Sequence, residues 1–145
     1  MHLREIMATP VETISPDERV DIARERMRRL RIHHLVVTDG RRILGVLSDR
    51  DLPRTVDGAA FRVEEMMSPS AVTASVKLTV RQAANLLRGR GIGCIPIVEG
   101  EKLVGIVTVS DLLSLLGRGL QRPVERGKRW TLRHRGPRKR IGQLP

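Results

Sequence analysis

Two short stretches hold the residues best suited to binding chemistry. They are Gly45-Val46-Leu47-Ser48-Asp49-Arg50-Asp51-Leu52 and Gly105-Ile106-Val107-Thr108-Val109-Ser110-Asp111-Leu112. Both fit the pattern Gly-apolar-apolar-Ser/Thr-x-x-Asp-Leu, with the hydroxyl where a strand ends and the Asp in the first turn of a following helix. A strand-to-helix junction exposes unpaired backbone N–H groups and the positive end of a helix dipole, which suits a phosphate. The hydroxyl of Ser48 or Thr108 can join that contact. An ionised Asp51 or Asp111 is acceptor-only and can take hydrogen bonds from two ribose hydroxyls at once. The competing reading is local: Ser48 and Thr108 cap the helices that follow, and the two Asp complement the helix dipoles. Recurrence of the motif inside matching apolar frames favours a ligand.

That recurrence belongs to a longer repeat. Sliding the chain by 60 residues aligns positions 4–53 with 64–113 without a gap, and 12 of the 50 pairs are identical, among them Gly40/Gly100, Gly45/Gly105, Asp51/Asp111 and Leu52/Leu112. The body is therefore two copies of one unit, residues 1–60 and 61–117, followed by a segment over 118–145. Each copy begins with a short extended piece (Val11–Ile14, Ala71–Ala74). A helix follows, with apolar residues at Val20, Ala23, Met27 and Leu30 on one face in the first copy. Ser15-Pro16-Asp17-Glu18 predicts a capping box with Pro at the first helical position, and Thr79 with Gln82 predicts a second box. Leu35–Val37 and Cys94–Val98 read as buried strands. Asp39-Gly40 and Glu99-Gly100 mark hairpin turns, and the return strands Ile43–Leu47 and Leu103–Val109 run into helices expected from Asp49 and Ser110. Neither small sheet could bury both faces alone, so the copies should pack together.

Composition narrows the field. The chain has 145 residues, 27 Lys+Arg against 16 Asp+Glu, and a formal net charge of +11. Residues 118–145 hold ten basic side chains against Glu125 alone, a net +9, so the first 117 residues are nearly neutral. Arg outnumbers Lys 23 to 4, a bias that base composition or heat adaptation explains as well as phosphate binding does. One Cys excludes a disulfide framework and a multi-Cys zinc site, and fits a reducing compartment. No apolar run approaches a membrane span and the first residues lack a signal-peptide core. A soluble, cytoplasmic protein without membrane attachment is expected. One Phe, one Trp and no Tyr exclude recognition by rows of stacking aromatics. The basic arm, with Trp130 and Leu132, reads in three ways: a solvated tail, a segment docking on its own body or a second chain, or a nucleic-acid or acidic-partner contact, which is not favoured.

Several residues invite chemistry and have plainer readings. His33 and His34 are neighbours on a strand, point to opposite faces, and find no ligand set at metal spacing, so no metal is expected. Arg50 could add a positive group to the first site or simply face water. Cys94 reads as a small buried apolar residue with no base to activate it. Gly89-Arg90-Gly91-Ile92-Gly93 ends a helix and matches no phosphate-loop or dinucleotide fingerprint. No catalytic set is visible, so an enzyme is not expected.

With helix pattern, hairpins and both terminal motifs in hand, residues 3–117 resemble the CBS-domain family, in which a tandem pair forms a Bateman module. The resemblance implies an α/β (α+β) fold: two β-α-β-β-α units packed through their sheets with pseudo-twofold symmetry, plus the basic C-terminal arm. It further implies two clefts that take adenosine-type ligands (AMP, ADP, ATP or S-adenosylmethionine) as regulatory ligands, with no cofactor required. Asp51 and Asp111 would hold ribose, and Ser48 and Thr108 phosphate. Thr13, Ile14, His34 and Leu35 match the base-contacting positions in copy one, and Thr73, Ala74, Cys94 and Ile95 those in copy two. Copy two keeps the family's usual Pro at Pro96, whereas copy one has Val36, which makes the two base pockets unequal. A homodimer that senses the nucleotide and signals to a regulated protein partner is the implied mode of action. The rival reading is a dimeric scaffold whose arm does the binding.

Overall fold

The structure is a computed structural model that describes residues 1–52, 61–69 and 71–119. The expectations placed on the arm from residue 120 onward lie outside the described residues.

Two small sheets and the helices packed on them follow the repeat closely. The first unit contains β1 (Thr13–Ile14), α1 (Val20–Leu30), β2 (His34–Asp39) and β3 (Arg42–Ser48). A short helix α2 (Val63–Met66) and β4 (Ser68–Pro69) come next in the chain. The second unit contains β5 (Ala74–Ser75), α3 (Val80–Arg90), β6 (Cys94–Glu99), β7 (Lys102–Thr108) and α4 (Val109–Gly117). β1 runs parallel to β2, and β2 pairs antiparallel with β3 through a hairpin closed by Asp39 and Arg42. β5, β6 and β7 repeat this arrangement, with the hairpin closed by Glu99 and Lys102.

Strand alternation sorts the side chains into three cores. Leu35 and Val37 point into the first unit with Val20, Ala23, Met27 and Leu47, while Val36 between them points the other way. Ile95 and Ile97 fill the second unit with Ala83, Leu87 and Val107. Ala8, Val36, Cys94 and Ile106 form a third cluster where the two sheets meet, flanked by Val11, Ile43, Val46 and Leu103. The copies do pack through their sheets.

The leading segment of each repeat crosses to the other unit. Leu3 and Ile6 are buried in the second core, and Val63 in the first. Backbone bonds match across the pseudo-twofold: the Leu3 N–H donates to the Leu78 carbonyl at 2.8 Å and the Val63 N–H to the Glu18 carbonyl at 2.9 Å. Likewise the Val80 N–H donates to the Met1 carbonyl and the Val20 N–H to the Phe61 carbonyl, both at 3.0 Å. The stretch of chain that forms one repeat is thus not the stretch that forms one core.

This crossing corrects one expected cap. α1 starts at Val20 with Arg19 as its cap residue and no side-chain cap. Ser15 instead hydrogen-bonds Asp17 in a turn ahead of the helix. The carbonyls of Pro16 and Glu18 accept from Glu64 and Val63 at 2.9 Å each, which holds the turn extended against the crossing segment rather than winding it into helix. Thr79 does cap α3, accepting from the Gln82 N–H at 3.2 Å while Gln82 Oε1 accepts from the Thr79 N–H at 3.0 Å.

Candidate ligand-binding site

Each motif sits where its hairpin returns to the start of its first strand. His34 lies directly opposite Ser48 across β2 and β3, and Cys94 directly opposite Thr108 across β6 and β7. The residue proposed to meet a base and the residue proposed to meet a phosphate are therefore cross-strand neighbours in both copies. The structure also ties the strand ends together: the Asp49 N–H donates to the His33 carbonyl and the Val109 N–H to the Gly93 carbonyl, each at 3.0 Å.

The local reading of the motifs is realised in both. Asp51 Oδ2 accepts from the Ser48 N–H at 3.2 Å, and Ser48 Oγ accepts from the Arg50 N–H at 3.2 Å. Asp111 Oδ2 accepts from the Thr108 N–H at 2.9 Å, and Thr108 Oγ1 accepts from the Asp111 N–H at 3.2 Å. These are reciprocal capping boxes. They hold the Asp51 carboxylate at the exposed surface and the Asp111 carboxylate half-buried. The helices that follow differ: α4 begins at Val109, one residue before the expected Ser110, whereas Asp49–Asp51 form a single 3-10 turn. The helix expected to continue beyond it falls on residues 53–60, outside the described residues.

The remaining candidates divide by exposure. Thr13 and Thr73 are exposed, and Arg50 faces solvent. Ile14, Leu35, Ala74 and Ile95 are buried, Leu35 and Ile95 completely; only the backbones of those two could face a ligand. The Val36 N–H donates to the Glu12 carbonyl at 3.1 Å. Pro96 has no N–H to offer at the same place in β6, so the two copies differ in backbone bonding as well as in side chain.

Electrostatics distinguish the copies further. The half-buried His34 imidazole is held below its ordinary value of 6.5, chiefly by burial, with Asp49 and Asp51 pulling upward and His33 and Arg50 downward. Burial pushes the Cys94 thiol up to about 12, and Asp111 adds to the effect. His33 Nδ1 lies 2.6 Å from Asp49 Oδ2 in an exposed pair. No group of three or more metal-ligating side chains occurs among the described residues.

Two surface concavities lie elsewhere. One of about 310 Å³ is lined by Ala84, Leu87, Arg88 and Ile92 near α3 and by Val109, Leu112 and Leu113 of α4. The other, of about 250 Å³, is lined by His2, Arg4, Glu5, Val76 and Lys77. Neither includes a residue singled out for the ligand.

Sequence reading missed two roles of glycine. A Cβ on Gly45 would collide with the Ser68 carbonyl oxygen, and one on Gly105 with Met7 Sδ. The motif glycines thus admit the crossing segments rather than a ligand. The sequence pattern places Gly93 only at the end of a helix, yet a Cβ there would lie 3.0 Å from His34 Nε2 of the other unit. The signal was available: at the repeat offset, Gly93 stands where copy one has His33.

Comparison with known proteins agrees with this architecture. The CBS domain pattern matches residues 3–57 and again 63–118. CBS domain-containing protein YhcV of Bacillus subtilis is 31% identical over 114 residues, covering 76% of this chain and 81% of that one. An A-adding tRNA nucleotidyltransferase of Geobacter sulfurreducens is 28% identical over 83% of this chain, which spans only 14% of that enzyme. A CBS domain pair solved with 5′-methylthioadenosine and S-adenosyl-L-methionine shares the fold, with TM-score 0.75 and 23% identity over 82% of this chain and 98% of that one. The matched repeat, the sheet-to-sheet packing and the paired motifs agree: this chain belongs to the CBS-domain family and carries two copies of the domain in tandem.

Proposed function

We propose that the chain is a regulatory module that binds an adenosine-type ligand, AMP, ADP, ATP or S-adenosylmethionine, between its two units and catalyses no reaction. The observation that carries this reading is the pair of boxes, Ser48 with Asp51 and Thr108 with Asp111, at equivalent strand ends opposite His34 and Cys94. The related CBS pair solved with two adenosine compounds supports the ligand class. In this reading the carboxylates take ribose hydroxyls and the Ser48 and Thr108 hydroxyls turn toward phosphate. Arg50 adds a cation to the first site that Ser110 cannot supply to the second.

Binding across the seam shifts the orientation of the units, and a protein partner reads the shift. Two modules associate through the helical side, where Val109, Leu113 and Leu116 of α4 are 41%, 61% and 65% exposed. Light scattering should then report a dimer that Leu113→Asp with Leu116→Asp converts to monomer.

Calorimetry with AMP, ATP and S-adenosylmethionine tests the ligand. Removing charge-assisted hydrogen bonds worth about 1.5–3 kcal/mol makes Asp51→Ala with Asp111→Ala bind roughly ten- to hundredfold more weakly. The same substitutions remove the carboxylate half of each capping box, so affinity is compared well below each variant's unfolding temperature. Unchanged affinity in the double variant rejects the ribose assignment, and no binding of any of the three compounds rejects the ligand class.

A further inference from the structure

The two sides of the seam differ in chemistry. At the repeat offset, His33-His34 correspond to Gly93-Cys94, and Asp49-Arg50 to Val109-Ser110. His34 opens β2, and its ring reaches the chain just before β6 in the other unit: a Cβ on Gly93 would lie 3.0 Å from Nε2 and 3.6 Å from Cε1. Gly93 is tied in turn to the second motif, because its carbonyl accepts from the Val109 N–H at 3.0 Å. Val109 begins α4, immediately after Thr108 and two residues before Asp111, the reciprocal pair of the second capping box. A short run of contacts therefore joins an imidazole in one unit to a carboxylate box in the other.

We infer that His34 is a positioning residue that couples the two candidate ligand sites across the seam, acting on Gly93 and through it on the Thr108–Asp111 box. The contact stands on its own geometry; its consequence for ligands rests on the proposed function.

The ring can transmit a change because it can change charge. The charged and titratable groups that bias its charge are the Asp49 and Asp51 carboxylates, Arg50, and His33 beside it in the chain. The second unit presents uncharged Gly93. At neutral pH the uncharged ring packs on Gly93. A proton added in this half-dry gap draws the ring toward Asp49 and Asp51 and away from Gly93. Cys94, the counterpart of His34, keeps its proton until about pH 12, so the link runs from the first unit to the second and has no mirror image.

Two-dimensional NMR of the full chain between pH 7.5 and 5 tests this without any ligand. The His34 Cε1–Hε1 signal should titrate with a midpoint below 6.5, and the Gly93, Val109 and Asp111 amides should move with that same midpoint. His34→Gln should abolish those amide shifts, and His33→Gln should keep them, with the midpoint moved upward because His33 no longer pulls it down. If His34→Gln does not fold, Gly93→Ala at constant pH should displace the His34 ring signal and the Val109 amide together. Amides that stay still, or whose shifts survive His34→Gln, overturn the coupling. Calorimetry with AMP then separates the two claims: an intact amide response without AMP binding rejects the ligand reading alone, and normal AMP binding with silent amides rejects the coupling alone.

Discussion

At the scale of single residues, capping and ligand binding are compatible uses of the same side chains. A capping box takes one carboxylate oxygen and holds the carboxylate in one place, which lowers the ordering cost of any later contact. Cys94 is different, because its surroundings exclude charge. The thiolate is the reactive form, and burial with Asp111 nearby pushes the thiol up to about 12. Iodoacetamide at pH 8 should therefore leave Cys94 unmodified in the folded chain and label it within minutes once urea unfolds the protein. Mass spectrometry reads the difference, and rapid labelling of the native chain would show that the seam opens to solvent. The sequence identified Cys94 as a small buried residue, since it lies in an apolar run with no base beside it. It could not reveal the partner of His34, because that contact joins positions 34 and 93, beyond the reach of local periodicity.

At the scale of elements, the helices and hairpins were legible because their signals are local: a 3.6-residue apolar period in α1, a Thr79–Gln82 cap, and turn residues at Gly40 and Gly100. The cap of α1 departs from its local signal for the opposite reason. Ser15 has the right residue type and spacing, but Glu64 and Val63 claim the backbone around it from far along the chain. The motif glycines show the same dependence on distant segments, and they differ in what they meet. Gly45→Ala drives a methyl against a backbone carbonyl oxygen of β4, which cannot yield without parting β3 from β4. Gly105→Ala meets only side-chain atoms of Met7, Sδ and Cγ most closely and Cβ at 3.0 Å, and Sδ and Cγ can swing aside. Overpacking costs about 1–3 kcal/mol, so urea unfolding should place Gly45→Ala near the top of that range and Gly105→Ala near the bottom. Met7→Ala combined with Gly105→Ala should cost less than the sum of the two single changes, since the truncated side chain makes the room the methyl needs. Equal losses for the two glycines would remove the distinction.

At the scale of the whole molecule, the crossing segments make each unit depend on chain that belongs to the other repeat. Leu3, completely buried, and Ile6 sit in a core otherwise built from residues 74–115, and Val63 is the counterpart of Leu3 in the first unit. The repeat marks which residues are equivalent and is silent on which copy each one packs against. Truncating a buried leucine costs about 2–5 kcal/mol, as lost burial plus the cavity left behind. Leu3→Ala should therefore destabilise the chain by about that much, and the damage should appear far from the substitution in sequence. Hydrogen exchange under native conditions should quicken first in β6 and β7 and along α3, with β2 and β3 less affected. Arg4→Ala is the matched control: it removes the 2.6 Å pair with Glu99, whose side chains are 56% and 55% exposed, and an exposed pair is worth about 0–1 kcal/mol. If Leu3→Ala instead loosens β2 and β3 first, the segment does not cross, and each repeat folds on itself. If exchange rises in the second unit alone, the two halves are laced together by their own leading residues. A shift in one unit is then felt by the other through covalent chain as well as through the seam.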